Sequence, residues 1–328
     1  MNNITTDRFG TLSLSQAIEF INNSNDNNRN IIIKSGIEAL DSLINGWRPG
    51  ELTVFGARPA MGKTNFIVSC IGNIVSSGTP VALFSAVNSL NLNFLSRIVS
   101  AIRCESIPYT DEEKKDMVDK FTNEETPLYM GLNPSLTMSY IKDNLTTLVR
   151  EKGVRCVFIE TIQSIFASER NGFTREGMDK ICHELKMMAE KLQVPIIVTS
   201  ELSRAVAQRP SFDGRIPQIA DLRSCSSIET EADNVYLFWR PEYYHIYMDE
   251  NGNDMRGIGN IIIAKNKNGV LGTLYVKYNT LNFTLEDLDG NKRWKLKMEK
   301  EKQKLIDHLK SSHIFTELSD KLDLEVSD

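Results

Sequence analysis

The stretch from Ala57 to Thr64 limits what this chain can fold into more than any other, because it ends in Gly-Lys-Thr between two apolar segments. Residues 52–55 (Leu-Thr-Val-Phe) read as a buried strand, and residues 65–71 read as a helix. A strand, a loop that ends in Gly-Lys-Thr and a helix form the context of a phosphate-binding P-loop. The backbone N–H groups of such a loop curl around phosphate oxygens, and the helix N-terminus adds partial positive charge.

This loop predicts ATP and Mg²⁺ as ligands. Lys63 would reach the β- and γ-phosphates, and the Thr64 hydroxyl would ligate Mg²⁺. The first position of the pattern is Ala57 rather than glycine, but Gly56 precedes it and still allows the turn. Arg58 reads equally well as a phosphate contact and as an exposed loop arginine. The predicted nucleotide-binding residues of the loop are Arg58, Pro59, Ala60, Met61, Gly62, Lys63, Thr64 and Asn65.

Composition is that of an ordinary globular protein and gives no general electrostatic reason for binding nucleic acid. The 328 residues include 41% hydrophobic and 25% charged residues, with a formal net charge of −5. A contact with DNA would therefore need a local basic surface. The five cysteines have no Cys-x-x-Cys spacing, which indicates reduced thiols and no zinc site. With no long apolar run and no signal-peptide pattern, we expect a cytoplasmic protein without a membrane span.

Residue patterns divide the chain into three predicted segments. Residues 1–30 are polar and contain one short amphipathic helical pattern, which is typical of a linker. Residues 31–290 carry the periodic apolar segments of a folded domain. Residues 291–328 predict a basic amphipathic helix and an acidic tail.

Within the central segment, apolar runs alternate with helical patterns, which predicts an α/β fold with a mostly parallel sheet covered by helices on both faces. Asn268-Gly269, between two alternating segments, predicts a C-terminal β-hairpin. The predicted strands are 31–33, 52–55, 80–84, 155–159, 194–199 and 234–238, followed by the hairpin strands 258–265 and 272–278. The predicted helices are 36–43, 65–71, 90–102, 142–152 and 176–191.

A series of short motifs in a fixed order adds a family resemblance. The series comprises Gly36-x-x-x-Leu40-Asp41, the loop at 57–64, Phe84-Ser85, Ser200-x-Leu202-x-Arg204, Asp221-Leu222-Arg223, Glu229-x-x-Ala232-Asp233 and Lys265-x-x-Asn268-Gly269. Together these motifs resemble the RecA-like ATPase domain of DnaB-type replicative DNA helicases. The motifs that begin at Asp221 and Lys265 favour this branch over RecA-like ATPases of the recombination or clock-protein type.

The resemblance implies a ring, usually of six copies, that encircles single-stranded DNA, hydrolyses ATP between subunits and moves 5′ to 3′. In such a ring, Lys265 and Lys267 would reach the γ-phosphate held by the neighbouring copy. The segment 221–227 would face DNA, with Arg223, Ser224 and Ser226 as its contacts. A helicase loader or a primase would be a further partner, although residues 1–30 are too short for the family's primase-docking domain.

Departures from the family concentrate at the positions that would cut the phosphate bond. Val87 stands where the family has a water-polarising glutamate, and valine cannot accept a proton. The strand at 155–159 is followed by Glu160 rather than aspartate, which would contact Mg²⁺ directly or crowd its hydration shell. Glu201 replaces a γ-phosphate-sensing glutamine. Lys267 replaces the arginine finger, which keeps the charge but loses the planar fork.

Two interpretations stay open on these residues. In one, Glu160 or Glu201 takes over from the missing glutamate and the protein is a slow motor. In the other, the chain binds ATP and assembles as a scaffold or regulator of DNA processing but scarcely hydrolyses. Loss of a positioned base costs about 10²–10⁴ in rate, and loss of an arginine finger up to ~10³ more. The catalytic candidates are Glu160, Glu201 and Lys267; the metal candidates are Thr64 and Glu160.

Overall fold

One mixed sheet organises the computed structural model, which describes residues 31–86, 91–121, 125–209, 213–222, 225–249 and 252–289, the pairs 14–15 and 303–304, and only the backbone of residues 213, 225 and 226. The strands are β1 (Leu52–Ala57), β2 (Val81–Ser85), β3 (Leu128–Leu132), β4 (Cys156–Glu160), β5 (Ile196–Glu201), β6 (Asn234–Trp239), β7 (Ile258–Asn266), β8 (Gly272–Asn279) and β9 (Thr284–Glu286). The α-helices are α1 (Glu38–Ile44), α2 (Lys63–Ser76), α3 (Leu92–Arg103), α4 (Asp111–Phe121), α5 (Met138–Lys152), α6 (Ile162–Ser168), α7 (Arg175–Leu192), α8 (Ala205–Gln208) and α9 (Cys225–Glu231). The strand order is β3-β2-β4-β5-β1-β6-β7-β8-β9.

The first six strands are parallel and are covered on both faces. β1, β2 and β6 are buried along their whole length, as continuous apolar strands of a doubly covered parallel sheet are. On one face, α1, α2 and α3 pack around residues such as Phe66 and Phe158. On the other face, α5, α6 and α7 pack around Phe166 and Leu185. The predicted α/β architecture is confirmed.

The last strands pair antiparallel, and the predicted hairpin is confirmed as β7 and β8. At β9, the Leu285 N–H donates to Ser69 Oγ of α2 at 2.7 Å. Just beyond β9, the Asp287 carboxylate accepts hydrogen bonds from the N–H groups of Glu38 and Ala39 at the start of α1, at 2.9 and 2.8 Å. The antiparallel end of the sheet therefore wraps around α1 and α2, which brings the end of β8 towards the β1–α2 loop.

The structure corrects some local predictions. Residues 31–33 are not a strand: Ile33 pairs with Trp47 in an isolated bridge, while Ile31 and Ile32 are exposed. The sequence reading missed β3, β9 and α4, among other short elements.

The two terminal helical predictions, around residues 12–22 and 291–310, lie almost entirely outside the described residues. The division at 30 and 290 accordingly stays a prediction. Within the described ranges, no helix combines the length and the apolarity needed to cross a membrane.

Candidate nucleotide-binding site

The loop between β1 and α2 has a conformation that suits an anion. Ala60 and Gly62 have positive φ, at 62° and 120°, as in backbone nests that direct successive N–H groups to one point. Helix α2 begins at Lys63 with no side-chain cap on its N-terminus and no acidic residue in its first turn. These N–H donors fit the phosphates of a nucleotide.

Two buried nitrogen atoms beside the loop support the same fit. Asn65 Nδ2 and Arg58 Nε have no hydrogen-bond partner in the described part of the structure, and a buried polar atom without a partner is costly unless a ligand or water satisfies it. The Arg58 side chain is half-buried and donates from Nη1 to the Leu202 carbonyl at 3.3 Å. It therefore lies against the end of β5 rather than projecting from the surface.

Other loop residues contribute mainly through the backbone. The Met61 side chain is 1% exposed and belongs to the core under α2, so its own contact with a nucleotide is limited to main-chain atoms. Pro59 and Ala60 are exposed at the tip of the loop. These positions are compatible with the prediction that the whole loop binds the nucleotide, but the side chain of Met61 packs in the core.

Lys63 is held at the mouth of the loop. Its Nζ donates to the carbonyls of Ala57 and Arg58, each at 3.3 Å. Burial lowers the pKa of Lys63, while the nearby carboxylates of Glu201 and Glu160 act in the opposite direction. A polyphosphate beside Lys63 would favour its charged form further.

Thr64 and Glu160 meet where a metal ion would sit. The Thr64 hydroxyl donates to Glu160 Oε1 in a short hydrogen bond. Burial raises the pKa of Glu160, against the lowering effects of Thr64, Lys63 and Arg97. Both groups offer oxygen ligands of the kind that Mg²⁺ prefers, so the two predicted metal ligands fit the ion. Mg²⁺ held there would supply positive charge beside the phosphates.

Glu201 is the second carboxylate near Lys63. It ends β5, directly opposite Ala57 in the pairing of β5 with β1. Its N–H donates to Gln163 Oε1 at 3.1 Å, and Gln163 Nε2 donates to Ser200 Oγ at 3.0 Å. Gln163, at the start of α6, thus links the carboxyl ends of β4 and β5, a role that the sequence reading did not assign.

Two cavities adjoin Thr64. The first, about 260 Å³, contains residues that sequence reasoning missed: Arg97, Tyr278 and Phe283 line it together with the loop. Arg240 stacks on Tyr278, with its Cζ 3.8 Å from the ring centre. Tyr278 reaches the loop because β8 and β9 wrap around α2, and its strand pattern alone gave no signal of this. The aromatic rings of Tyr278 and Phe283 and the Arg97 guanidinium in this cavity suit a nucleotide base and phosphates.

The second cavity, about 290 Å³, opens between the ends of β2 and β4. It is lined by Thr64, Ser85, Ala86, Asn91, Phe94, Glu160, Thr161 and Ser164. Glu160 is the one carboxylate among these lining residues. Val87, which follows Ala86, lies outside the described residues, and residues 87–90 contain no carboxylate in the sequence.

Lys265 and Lys267 lie at the opposite end of the strands from the P-loop. Asn266, between them, pairs with Asn234 at the start of β6, whereas the P-loop follows the carboxyl end of β1. Lys265 Nζ donates to the Glu229 carbonyl at 2.6 Å, and Lys267 Nζ donates to Asp233 Oδ1 at 3.1 Å. The structure therefore does not bring these two lysines to the P-loop of their own chain.

Of the three predicted DNA contacts, only Ser226 is among the described residues. Arg223 and Ser224 lie outside the described residues, and Ser226 is described by its backbone alone, in α9. Just before them, the buried Asp221 carboxylate accepts hydrogen bonds from Arg209 and from the Gln218 N–H. This anchors the start of the predicted DNA loop, while the loop contacts themselves remain predictions.

A P-loop follows the first strand of this sheet, and an acidic residue ends β4, which is separated from β1 by β5 alone. This arrangement is that of a P-loop protein of RecA-like fold. Residues 32–287 match the family model described as the DnaB-like helicase C terminal domain. The chain belongs to this family.

Two named relatives are consistent with this family. The chain is 30% identical over 256 residues to the replicative DNA helicase DnaB of Buchnera aphidicola subsp. Schizaphis graminum, covering 75% of this chain and 53% of the relative. It is 30% identical over 257 residues to that of Geobacillus stearothermophilus, covering 75% and 54%. The chain thus spans about half the length of these relatives.

Two solved structures support the fold. One, an ATPase domain, superposes with a TM-score of 0.68 at 23% identity and covers 85% of this chain and 99% of that one. The other, a DnaB-like replicative helicase described with its interactions with primase, gives a TM-score of 0.66 at 24% identity, covering 85% and 67%.

Proposed function

We propose that this chain is the ATP-driven motor of a DNA helicase that acts in DNA replication or related DNA processing. The observation that carries the proposal is the convergence of Lys63, Thr64 and Glu160 at the carboxyl ends of β1 and β4, within the DnaB-like fold. Lys63 and the loop N–H groups bind the triphosphate of ATP, and Thr64 and Glu160 hold Mg²⁺.

The working unit is a homo-oligomeric ring, six copies by analogy with the family, that moves 5′ to 3′ on single-stranded DNA in the cytoplasm. Each nucleotide lies between two copies, with Lys265 and Lys267 supplied by the neighbour. Arg223, Ser224 and Ser226 contact the DNA backbone. A helicase loader or a primase docks on the assembled ring.

For the hydrolytic carboxylate, we favour Glu160 over Glu201. Glu160 lines the cavity at the end of β2 where the family's glutamate would act, and it is bonded to the Thr64 hydroxyl beside the phosphate-binding loop. Glu201 ends β5, where its N–H donates to Gln163, and it is not among the residues that line this cavity. Near Lys63 it adds negative charge to a site meant for a triphosphate, which weakens binding unless a cation balances it.

A second function, an ATP-dependent scaffold with little turnover, has its own support in Val87 and Lys267. Val87 cannot accept a proton, and Lys267 keeps the charge of the family's arginine without its planar fork. Hydrolysis therefore depends on another carboxylate, Glu160, and on a single point charge at Lys267.

Turnover of ATP by the purified chain, measured with and without single-stranded DNA, separates the two. We expect DNA-stimulated turnover that falls to background in Lys63→Ala, while Lys152→Ala, an exposed lysine at the end of α5, leaves it unchanged. Binding of a fluorescent ATP analogue without turnover, in the presence or absence of DNA, would contradict the motor and leave the scaffold.

A further inference from the structure

A β-bulge sets the direction of Lys265 and Lys267. One residue of β7, Ala264, is extra with respect to β6. Ile263 packs in the core on the α2 side of the sheet, whereas Ala264 packs on the α7 side. Lys265 also lies on the α7 side, because it donates to the Glu229 carbonyl in α9, a helix that packs on α7. Without the bulge, the alternation of a strand would place Lys265 on the α2 side with Ile263.

Asp233 fixes the second lysine. Its carboxylate, 4% exposed, accepts hydrogen bonds at Oδ2 from the Leu52 N–H (2.9 Å) and Lys186 Nζ (2.6 Å), and at Oδ1 from Lys267 Nζ (3.1 Å). The Lys267 N–H also donates to the Asp233 carbonyl at 3.1 Å. Burial alone would raise the pKa of Asp233, but its hydrogen bonds from Lys186, Leu52 and Lys267 outweigh this and hold it below the usual value. The carboxylate is charged at neutral pH and cannot move without breaking its bond to β1.

The turn that carries Lys267 is fixed at two further points. Asn268 Nδ2 donates to Glu51 Oε1 at 2.7 Å, and Glu51 is itself buried at the start of β1. Within the turn, Asn266 Nδ2 donates to the Val270 carbonyl at 3.1 Å. The backbone on both sides of Lys267 is therefore tied to the rigid parallel sheet.

The ammonium of Lys267 is nevertheless open to solvent. The side chain is 63% exposed, against 14% for Lys186, the other lysine on Asp233. An ammonium has three N–H donors, so the bond to Asp233 leaves capacity for an anion. That anion is not the nucleotide of the same chain. Lys267 lies near the start of β1 and the P-loop follows its end, and the four residue steps from Thr53 to Ala57 alone span about 13 Å. A nucleotide phosphate at Lys267 would therefore belong to a second copy.

We propose that Asp233 is a positioning residue for hydrolysis: it holds the Lys267 ammonium at the height and direction in which a neighbouring copy presents the γ-phosphate of its ATP. The proposal rests on the proposed function, since it takes Lys267 as the cation supplied between copies. Asp233 touches neither nucleotide nor metal and acts through Lys267.

The need for such an anchor follows from the lysine itself. A guanidinium has a rigid fork that binds two phosphate oxygens in one geometry, whereas lysine is a point charge on a flexible four-carbon stem. Fixing that stem before the phosphate arrives lowers the entropy lost in the transition state. Asp233, the bulge at Ala264 and the bond from Asn268 to Glu51 together provide that restraint.

The test uses the assembled full chain and the variant Asp233→Asn, whose side-chain oxygen still accepts from the Leu52 N–H. We expect kcat for ATP hydrolysis to fall about 10- to 100-fold, the usual effect of a misplaced catalytic group, with a smaller rise in KM from the weakened contact with the bound triphosphate. The matched control is Lys186→Gln, which removes the buried ion pair of Asp233 but leaves its bond to Lys267. A purely structural role predicts equal losses in the two variants, whereas positioning predicts that Lys186→Gln retains turnover.

A mixing experiment assigns the effect to the interface. Copies with Lys63→Ala keep the Asp233–Lys267 pair, and copies with Asp233→Asn keep the P-loop. Random mixing in a head-to-tail ring joins an intact P-loop to an intact pair at about a quarter of the interfaces. We expect the mixture to hydrolyse ATP faster than either variant alone. If the mixture gains nothing, Asp233 does not act between copies.

A binding measurement keeps the inference separate from the motor proposal. In the oligomer, a non-hydrolysable ATP analogue should bind more tightly than ADP, because only the triphosphate meets Lys267, and Asp233→Asn should reduce that preference. An inactive wild type with this pattern would reject the motor, and Asp233 would remain the residue that places Lys267 on the neighbouring copy's bound triphosphate. An active wild type with Asp233→Asn indistinguishable from Lys186→Gln in both assays would reject the positioning role and keep the motor.

Discussion

Glu160 and Glu201 approach Lys63 from two neighbouring strands, and both affect its pKa in the same direction. Their surroundings differ. Glu160 is bonded to the Thr64 hydroxyl and lines the cavity beside β2, whereas Glu201 is placed by Gln163 at the end of β5. Because a general base must lie near the attacking water and a second carboxylate only repels the triphosphate, the two residues should respond in opposite ways to neutralisation.

Glu160→Gln should therefore lower the single-turnover rate by about 10²–10⁴, as loss of a positioned base does, with ATP analogue binding retained. Glu201→Gln is the matched control: it also removes one negative charge beside Lys63, but we expect unchanged turnover and tighter ATP binding. Rates from rapid quench and affinities from fluorescence titration give both numbers. The reverse pattern, with Glu201→Gln inactive, would make Glu201 the working carboxylate.

At the scale of elements, the sequence predicted the strands and helices with a clear apolar pattern. It missed the elements whose position depends on tertiary contacts. The strands that became β1, β2 and β4 are continuous apolar runs, and the hairpin signal at Asn268-Gly269 is local. In contrast, β3 is a half-buried edge strand, and α4 has one buried residue, Met117. Neither carries enough apolar pattern to be recognised alone.

The residues of the site also divide into those that the sequence predicted and those that it missed. Lys63 and Thr64 follow from a contiguous motif. Arg97 enters the site from α3, which packs on α2. Tyr278 and Phe283 enter from β8 and the β8–β9 turn, because the antiparallel end of the sheet wraps around α2. Likewise, the contact of Asp233 with Lys267 depends on the pairing of two strands and on a bulge that no local pattern in β7 reveals.

The β1–α2 loop makes a test at this scale possible. Gly62 has φ of +120°, and a Cβ there would lie 3.2 Å from Tyr278 Cε2. Gly78, after α2, has φ of +81° and no atom within 4 Å of a built Cβ. Backbone strain should cost Gly62→Ala and Gly78→Ala about 1–2 kcal/mol each in the free energy of unfolding, measured by urea denaturation.

Only Gly62→Ala should also weaken ATP binding, by about tenfold or more, since every 1.4 kcal/mol of distortion at the phosphate cradle is a factor of ten. Titration of both variants with a fluorescent ATP analogue makes the comparison. Wild-type affinity in Gly62→Ala, or an equal loss in Gly78→Ala, would show that the conformation at Gly62 is not what binds the phosphates.

For the whole molecule, the P-loop and Lys267 lie at opposite ends of the neighbouring strands β1, β6 and β7, so the proposed nucleotide site, with Lys267 at the γ-phosphate, needs two copies in head-to-tail contact. Such heterologous contacts close into rings or continue as filaments. A ligand shared across a contact couples its own binding to assembly, and the coupling is reciprocal. ATP should therefore promote association, and association should tighten ATP binding.

We accordingly expect sedimentation velocity to show larger species with a non-hydrolysable ATP analogue than with ADP, and the apparent affinity for the analogue to rise with protein concentration. Lys267→Ala should reduce both effects while leaving the affinity of the dilute chain unchanged, because Lys267 does not contact its own P-loop. Lys277→Ala removes an exposed lysine from β8 and should leave both effects intact. An affinity that is independent of protein concentration would mean that each chain binds ATP alone, and the shared site would have to be abandoned.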